Sequence, residues 1–391
     1  MNDPIPVPST LPELIPYYPL ADLVWIAVQL FALAVPLFFL FTGLGARLRS
    51  LCQRLAHANR SGTLVLFATS YLVLASFIAL PLGYYADVSF PRSWGAPVPS
   101  FGNWMSWCLS NLLCEIILVG LMLWIPYAFI SRAPRLWWQY ATVIAIPTFI
   151  VGLLLYQLIL YPKIASLHPL TDPVLTANID ALAARCGVQH VPVLIGGWDT
   201  TVIGIGPVAA RLVISEQSLR DLTPPELVAA VAHELKHYMF DGWKIIPAAT
   251  LLVLGGLWLV DRIGRAMVRR FHRAFGFSDL VDPASLPLAI FILMAAWLFA
   301  GLPIFNAIQR HIEFEADRFA IELTHENRGQ ALLQLRASKY KLNEEYLFYK
   351  IWRDNHPSQS LRVRFANTYR PWIEGKPLVY DKVCKVPSAG E

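Results

Sequence analysis

Two histidines and a glutamate in one short apolar segment are the residues of this sequence best suited to chemistry. The segment reads AAVAHELKHYMF and contains His233, Glu234 and His237. Residues four apart share one face of a helix, so both imidazoles can reach one tetrahedral Zn²⁺ ion. Glu234 then lies beside the open coordination position, where a carboxylate can take a proton from water. This H-E-x-x-H spacing predicts metal-assisted hydrolysis.

A catalytic zinc needs a third protein ligand, and the sequence offers one after the last apolar run. The segment RHIEFEADRFA places Glu313 and Asp317 four residues apart on a predicted helix. One carboxylate can bind the metal while the other orients a ligand histidine. The alternative is a solvated acidic face, because Glu315 and Glu322 are nearby.

The elements around the two histidines are predicted from caps and breakers. The run Thr223-Pro224-Pro225-Glu226 is a capping box with proline in the first turn of the histidine helix. Upstream, TDPVLTANIDALAARCGV is a predicted helix that Asp172 or Thr171 caps and Gly187 ends. The segments VPVLIGG, TVIGI and RLVIS follow as short strands. This part of the chain is therefore predicted to be a small α+β insert.

The whole chain has the composition of a multi-span membrane protein. Of its 391 residues, 56% are hydrophobic and 15% are charged, and the mean hydropathy is +0.48. A soluble domain has about a quarter charged residues. Six apolar runs are predicted to span a bilayer, and they are Val24–Leu44, Thr63–Ala86, Trp107–Ile130, Leu136–Tyr161, Ile245–Val260 and Leu286–Ile308. The fifth run is short, but it continues from the apolar residues Met239, Phe240 and Trp243.

The composition also indicates which classes of partner to expect. The lipid bilayer is an expected partner of six apolar spans. A net charge of +5 is modest, so we expect no nucleic-acid partner. Nothing in the sequence indicates the oligomeric state.

Three motifs, in order along the chain, resemble one family. They are HELKH from His233, EFEAD from Glu313, and HPSQSLR from His356 to Arg362. Together they resemble the membrane zinc metallopeptidases of the CAAX prenyl protease type 1 and HtpX group, peptidase family M48. The resemblance extends over roughly Thr63 to Phe365.

The resemblance implies one zinc ion per chain and a set of site residues. The implied zinc ligands are His233, His237 and Glu313. Glu234 is the implied general base, and Asp317 is the implied carboxylate that orients a ligand. His356 and Arg362 become candidate catalytic residues that stabilise an oxyanion or fix the site. The alternative for His356 is a loop residue before a proline.

The resemblance also implies a peptide or protein substrate. Prenylated CAAX-type peptides and membrane or misfolded proteins are both open as substrates of such an endopeptidase. An extended peptide can add to a sheet edge near the substrate-binding candidates Thr201, Val202, Ile203 and Gly204. The family often has Asn-Ala where this chain has Asp199-Thr200, so substrate preference is not carried over.

The combined expectation is a mainly α-helical multi-span membrane protein with about six transmembrane helices, a small α+β zinc-protease insert and a helical C-terminal tail. Residues 1–161 form a membrane region of four spans, and residues 162–244 form the insert with the H-E-x-x-H helix. Residues 245–308 form a two-span hairpin, and residues 309–391 form the tail with the third zinc ligand and the His-Pro motif.

Two other function classes remain open. One is a catalytically inactive membrane scaffold or sensor with a structural zinc, which an intact Glu234 disfavours. The other is a transporter or channel, suggested by Asn111 and Glu115 inside the third span, because intramembrane ionisable groups usually face a cavity. The alternative for Glu115 is a side chain that reaches the interface. The absence of paired inverted halves disfavours a transporter.

The side of the membrane that holds the site is open. Arginines cluster in loops 45–61, 131–135 and 261–276, which the positive-inside rule assigns to the cytoplasm, with the insert outside. The family resemblance implies a cytoplasmic site, in a bacterial inner membrane or an ER-type membrane. An outside site would permit a disulfide between Cys186 and Cys384.

Overall fold

A computed structural model describes residues 3–205, 209–339 and 341–385 of the chain. The described residues fall into two compact units. The membrane unit contains Tyr17–Thr148 and Ala248–Leu302, and the site unit contains the described residues of Met1–Pro16, Phe149–Pro247 and Pro303–Glu391. The four regions predicted from sequence are continuous segments, whereas each of these units combines separate segments, so the predicted division stays a prediction.

Helices make up most of the described structure. In chain order the α-helices are α1 (Tyr17–Phe41), α2 (Leu44–Leu55), α3 (Arg60–Tyr84), α4 (Phe90–Ser93), α5 (Phe101–Met122), α6 (Trp124–Arg132), α7 (Trp137–Leu155), α8 (Tyr161–Ile164), α9 (Pro173–Ala184), α10 (Glu216–Asp221), α11 (Pro224–Lys236), α12 (Ile245–Phe275), α13 (Leu286–Ala296), α14 (Leu302–Thr324), α15 (Asn327–Ala337) and α16 (Gln359–Thr368). Wider π-helical turns occur at Tyr85–Ser89, Tyr156–Leu160, His237–Asp241, Trp297–Gly301 and Tyr349–Arg353.

Within the described residues, six helical runs are long and apolar enough to cross a membrane. They are Pro12–Phe41, Arg60–Ser93, Phe101–Arg132, Trp137–Ile164, Pro224–Phe275 and Pro283–Thr324. The predicted fold class is confirmed: the chain is a mainly helical multi-pass membrane protein with a small mixed sheet and a helical C-terminal end.

The fifth helical run is longer than its apolar stretch because its charged residues find partners. The apolar run stops at Val260, yet α12 continues to Phe275. Asp261 is buried, and its Oδ1 accepts hydrogen bonds from Trp137 Nε1 at 2.6 Å and Arg265 Nε at 2.7 Å. A buried carboxylate with two donors is tolerated inside a helix bundle, so the first charge does not end the helix.

A four-stranded sheet lies in the site unit. Its strands are β1 (His168–Pro169), β2 (Val193–Ile195), β3 (Thr201–Ile203) and β4 (Arg211–Ile214), in the spatial order β1-β2-β4-β3. β2 and β4 are parallel, with Val193 opposite Leu212, whereas β1 and β3 pair antiparallel with β2 and β4. The three strands predicted from sequence are present, and β1 is a fourth that the short His-Pro segment did not suggest.

One apolar core joins the sheet to the two helices that carry the site. Leu212 on β4 and Leu235 on α11 are fully buried in the same cluster as Phe319 on α14. The packing of these three side chains fixes both helices against the sheet. It therefore determines where the polar faces of α11 and α14 meet.

Candidate metal centre

Two imidazoles and a carboxylate converge where α11 meets α14. Nε2 of His233 lies 3.1 Å from Oε2 of Glu313, and Nε2 of His237 lies 3.6 Å from Oε1 of the same carboxylate. The two Nε2 atoms are 3.3 Å apart. One donor atom from each of the three residues lies within 4.8 Å of the others. Donor atoms this close can hold one cation.

The start of α11 is fixed by the capping interactions that the sequence predicted. The backbone N–H of Thr223 donates to the Glu226 carboxylate at 2.8 Å, which closes the capping box. Arg336 on α15 donates from Nε to the same carboxylate at 3.1 Å. The helix is thus held at its first turn, about two turns before His233.

The first imidazole is oriented by Asp317. Its Nδ1 contacts Oδ1 of Asp317 at 3.0 Å, so Nε2 of His233 faces Glu313. Asp317 in turn accepts two hydrogen bonds of 2.6 Å from Arg362 and one of 2.6 Å from Gln330. The side chain of Asp317 is 1% exposed, so it acts as a buried anchor.

The second imidazole is oriented by a carboxylate that the sequence analysis missed. Nδ1 of His237 contacts Oδ2 of Asp241 at 2.9 Å. Asp241 also accepts from Lys236 at 2.6 Å and from Lys244 at 2.7 Å. The available signal was spacing, since Asp241 stands four residues after His237, as Asp317 does after Glu313.

Glu234 lies on α11 next to His233, three residues before His237 in the π-helical turn, and is half-buried. It interacts electrostatically with His233 and His237 and with the Glu313 carboxylate. Its role as a base stays a prediction.

His356 and Arg362 approach the centre from the C-terminal end of the chain. Nε2 of His356 lies 3.5 Å from Oε2 of Glu313, and its side chain is 39% exposed. Burial lowers the pKa of His356 below its ordinary value, although the Glu313 carboxylate opposes that effect. Burial also acts to lower the pKa of Arg362, but the Asp317 carboxylate raises it above its ordinary value. Arg362 therefore stays protonated, and its positive charge is paired with the Asp317 carboxylate.

The three donors fit a divalent transition metal. Zinc in catalytic sites takes three imidazole or carboxylate ligands and leaves one position open. Here each imidazole uses Nδ1 for a carboxylate, which leaves Nε2 of His233 and His237 for a metal. The set of two nitrogens and one carboxylate from Glu313 matches that requirement.

Comparison with known proteins identifies the family. A family model described as "Peptidase family M48" matches residues 169–370, which include every residue of the centre. The chain belongs to peptidase family M48. A second model, described as "CAAX prenyl protease N-terminal, five membrane helices", matches residues 24–165. In the described part of that stretch this M48 peptidase has four candidate spans.

Individual relatives agree with the family. The chain is 27% identical over 308 residues to the "Uncharacterized metalloprotease YhfN" of Bacillus subtilis, covering 75% of this chain and 71% of that protein. It is 26% identical over 229 residues to the "CAAX prenyl protease 1 homolog" of rice (Oryza sativa subsp. japonica), covering 53% of this chain and about half, 50%, of that protein. The crystal structure of Ste24p from S. mikatae has the same fold, with a TM-score of 0.67 at 17% identity, over 85% of this chain and 83% of that one.

The comparisons establish that this M48 peptidase is a membrane metalloprotease. The predicted family, enzyme class and membrane character are confirmed. Membership of a metallopeptidase family also implies a metal, and His233, His237 and Glu313 are the described residues grouped to hold one. The identity of the metal and the role of each residue belong to the proposal below.

The predicted substrate-binding strand lies at an edge of the sheet in this M48 peptidase. Among the described strands β3 pairs with β4 alone, and its segment Thr201, Val202 and Ile203 is followed by Gly204. The backbone N–H of Gly204 donates to Oε1 of Gln157 at 2.9 Å, a contact the sequence did not predict. Gly204 has φ +86°, and a Cβ there would lie 2.2 Å from the Ala209 carbonyl oxygen, so the end of β3 requires glycine.

Asn111 and Glu115 lie on α5 in the membrane unit and are exposed there. The cavity expected beside them stays a prediction.

Proposed function

We propose that this chain is a zinc-dependent endopeptidase in which His233, His237 and Glu313 bind one zinc ion. The observation that carries the proposal is the convergence of these donors within 4.8 Å, each imidazole being held through Nδ1 by its own carboxylate. Bound zinc supplies Lewis acidity, which polarises a carbonyl and lowers the pKa of water toward neutrality.

The protein's own groups perform the proton transfers and the positioning. Glu234 accepts a proton from the attacking water and later donates it to the leaving amine. Stabilising the developing oxyanion is the role we propose for His356, whose partly exposed side chain has Nε2 3.5 Å from Glu313. Arg362 acts on the site through Asp317, so fixing the site is the role its contacts support.

The substrate is an extended peptide segment. The free edge of β3, from Thr201 to Ile203, can accept such a segment as an added strand with backbone hydrogen bonds. Peptides from membrane or misfolded proteins are one candidate class. Prenylated CAAX-type peptides are the other, supported by the name of the rice relative.

A cleavage assay with Glu234→Gln tests the proposed function. We expect the variant to retain zinc but to lose activity by about 10²- to 10⁴-fold, because the proton acceptor is absent. Glu216→Gln is the matched control, since Glu216 is an exposed surface residue paired with Arg220. Purified wild-type protein that holds zinc but cleaves neither substrate class would instead support the inactive scaffold. Flux that survives loss of both histidines would support a channel.

We also propose that the catalytic site lies on the extracytoplasmic side of the membrane. The site follows the fourth of six spans, whereas arginine-rich segments follow the first, third and fifth spans, and arginine favours the cytoplasm. A disulfide joins Cys186 to Cys384 in the site unit. Disulfides persist in oxidising compartments and are rare in the cytosol. Charge distribution and disulfide thus support the same side.

Single-cysteine labelling tests this orientation. Asn178→Cys reports on the insert, and Gln53→Cys reports on the first arginine-rich loop; both positions are exposed. We expect a membrane-impermeant maleimide to label Asn178→Cys in right-side-out vesicles and Gln53→Cys in inverted ones. The reverse pattern would place the site in the cytoplasm, as the family resemblance implies.

A further inference from the structure

The side chain of Asp241 contacts the second imidazole, although none of the three motifs includes it. Its Oδ2 accepts a hydrogen bond from Nδ1 of His237 at 2.9 Å. That contact leaves Nε2 of His237 facing Glu313 at 3.6 Å and Nε2 of His233 at 3.3 Å. An imidazole that donates from Nδ1 presents the lone pair of Nε2 to a metal.

Two lysines hold Asp241 in place. Nζ of Lys236 lies 2.6 Å from Oδ2, and Nζ of Lys244 lies 2.7 Å from Oδ1. Lys236 is 4% exposed, and its ammonium also approaches the carbonyl oxygen of Ile312, the residue before Glu313, at 3.4 Å. A lysine is almost never this buried without a partner. The Asp241 carboxylate is the anion that neutralises it.

A change of helix type brings these groups together. α11 gives way to a π-helical turn, His237–Asp241, and then to a 3-10 turn, Gly242–Lys244. Single π-helical turns inside helices occur frequently at functional sites. Here the turn begins with the second imidazole and ends with the carboxylate that contacts it.

The first imidazole has a parallel arrangement. Nδ1 of His233 donates a hydrogen bond to Oδ1 of Asp317 at 3.0 Å, and Asp317 is neutralised by the buried guanidinium of Arg362 at 2.6 Å. Each imidazole therefore has its own carboxylate at Nδ1, and each of these two carboxylates is paired with a buried cation. A carboxylate that orients a ligand histidine commonly changes metal affinity by about 10- to 100-fold.

We propose that Asp241 is a positioning residue that fixes the ring and tautomer of His237 and so strengthens metal binding. Lys236, the residue before the second histidine of HELKH, is its buried counter-ion. The proposal rests on the proposed function, because it takes His237 as a ligand. It gives a role to Asp241 in the segment that follows HELKH, a segment to which none of the three motifs assigns a role.

The test compares two variants of the full-length protein, Lys236→Met and the double variant Lys236→Met/Asp241→Asn. Asp241→Asn alone would leave a buried ammonium without its anion, which threatens folding. Removing Lys236 from both proteins avoids that problem and isolates the contact between Asp241 and His237. We expect the double variant to bind zinc about 10- to 100-fold more weakly than Lys236→Met, measured by competition with a chromophoric chelator.

Asp261→Asn is the matched control. Asp261 is an aspartate that, like Asp241, pairs with a nearby basic side chain, Arg265, but it lies in the membrane unit. The Asp261→Asn variant should bind zinc as tightly as the wild type. Thermal unfolding in detergent should show that every compared protein is folded. If the double variant does not fold, Lys236→Met/Asp241→Leu, an apolar replacement of the same pair, takes its place.

The outcomes separate this proposal from the proposed function. If Lys236→Met binds zinc and the folded double variant binds it within about two-fold as tightly, Asp241 has no positioning role. An equal loss of affinity in Asp261→Asn would mean that the effect is general destabilisation, which also overturns the proposal. If the wild-type protein binds no zinc, the proposed function fails and this proposal fails with it.

Discussion

At the scale of single residues, the most constrained contact of the centre is the pair of Arg362 and Asp317. Both side chains are buried, at 7% and 1% exposure, and two hydrogen bonds of 2.6 Å join them. Removing one partner of a buried ion pair leaves an uncompensated charge. The pair therefore links the C-terminal His-Pro motif to the imidazole of His233.

We predict that Arg362→Met destabilises the protein by about 3–5 kcal/mol and weakens zinc binding, because Asp317 is left buried without its cation. Chemical unfolding in detergent and chelator competition measure the two effects. Arg364→Met is the control: Arg364 is exposed two residues away, and its loss should change the free energy of unfolding by less than about 0.5 kcal/mol. Equal behaviour of the two variants would contradict the anchoring role.

The sequence predicted the site residues that belong to motifs, but it did not predict the residues outside the motifs that orient them. H-E-x-x-H and the Glu313 segment could be read from helical spacing, because i and i+4 positions share a face whatever the tertiary structure. Asp241 and Gln330 could not be assigned in the same way. The spacing of Asp241 after His237 was a signal, but their contact forms within a π-helical turn, and the role of Gln330 depends on the packing of α15.

At the scale of elements, apolar periodicity predicted the helices well and their ends poorly. The capping box at Thr223 and the cap at Asp172 were correct, since capping chemistry is local. The continuation of α12 from Val260 to Phe275 was missed, because it depends on distant partners such as Trp137 for Asp261. Charges end an apolar run without ending a helix.

The close contact of α15 with the start of α11 gives an element-scale prediction. A Cβ at Gly329 would lie 2.3 Å from the Pro225 carbonyl oxygen. Gly329→Ala must push α15 away from the helix that carries His233, and we expect a loss of at least about 1–3 kcal/mol of stability. The thermal unfolding temperature in detergent measures it.

Gly152→Ala is the matched control for that substitution. Gly152 is also a helical glycine, but a Cβ there meets nothing within 4 Å. Alanine is the better helix former, so this variant should be neutral or slightly stabilised, by less than about 1 kcal/mol. Gly329→Ala that unfolds at the wild-type temperature would show that the two helices are not closely packed.

At the scale of the whole molecule, composition alone predicted the class, and distant pairings needed the structure. A mean hydropathy of +0.48 and six apolar runs were sufficient for a multi-pass membrane protein. The joining of Cys186 to Cys384, 198 residues apart, could be raised only as a corollary of an outside site. Pairings over such distances depend on tertiary contacts that no local pattern reports.

The convergence of His233, His237 and Glu313 on one ion is the central claim, and metal analysis of the purified full-length protein tests it most directly. We predict one zinc per wild-type chain and the same content in Glu315→Ala, whose carboxylate lies on α14 but pairs with Arg318. Glu313→Ala should hold much less than one zinc, because a ligand is missing. A wild-type protein that never holds stoichiometric metal, or a Glu313→Ala protein that holds as much as the wild type, would contradict the account.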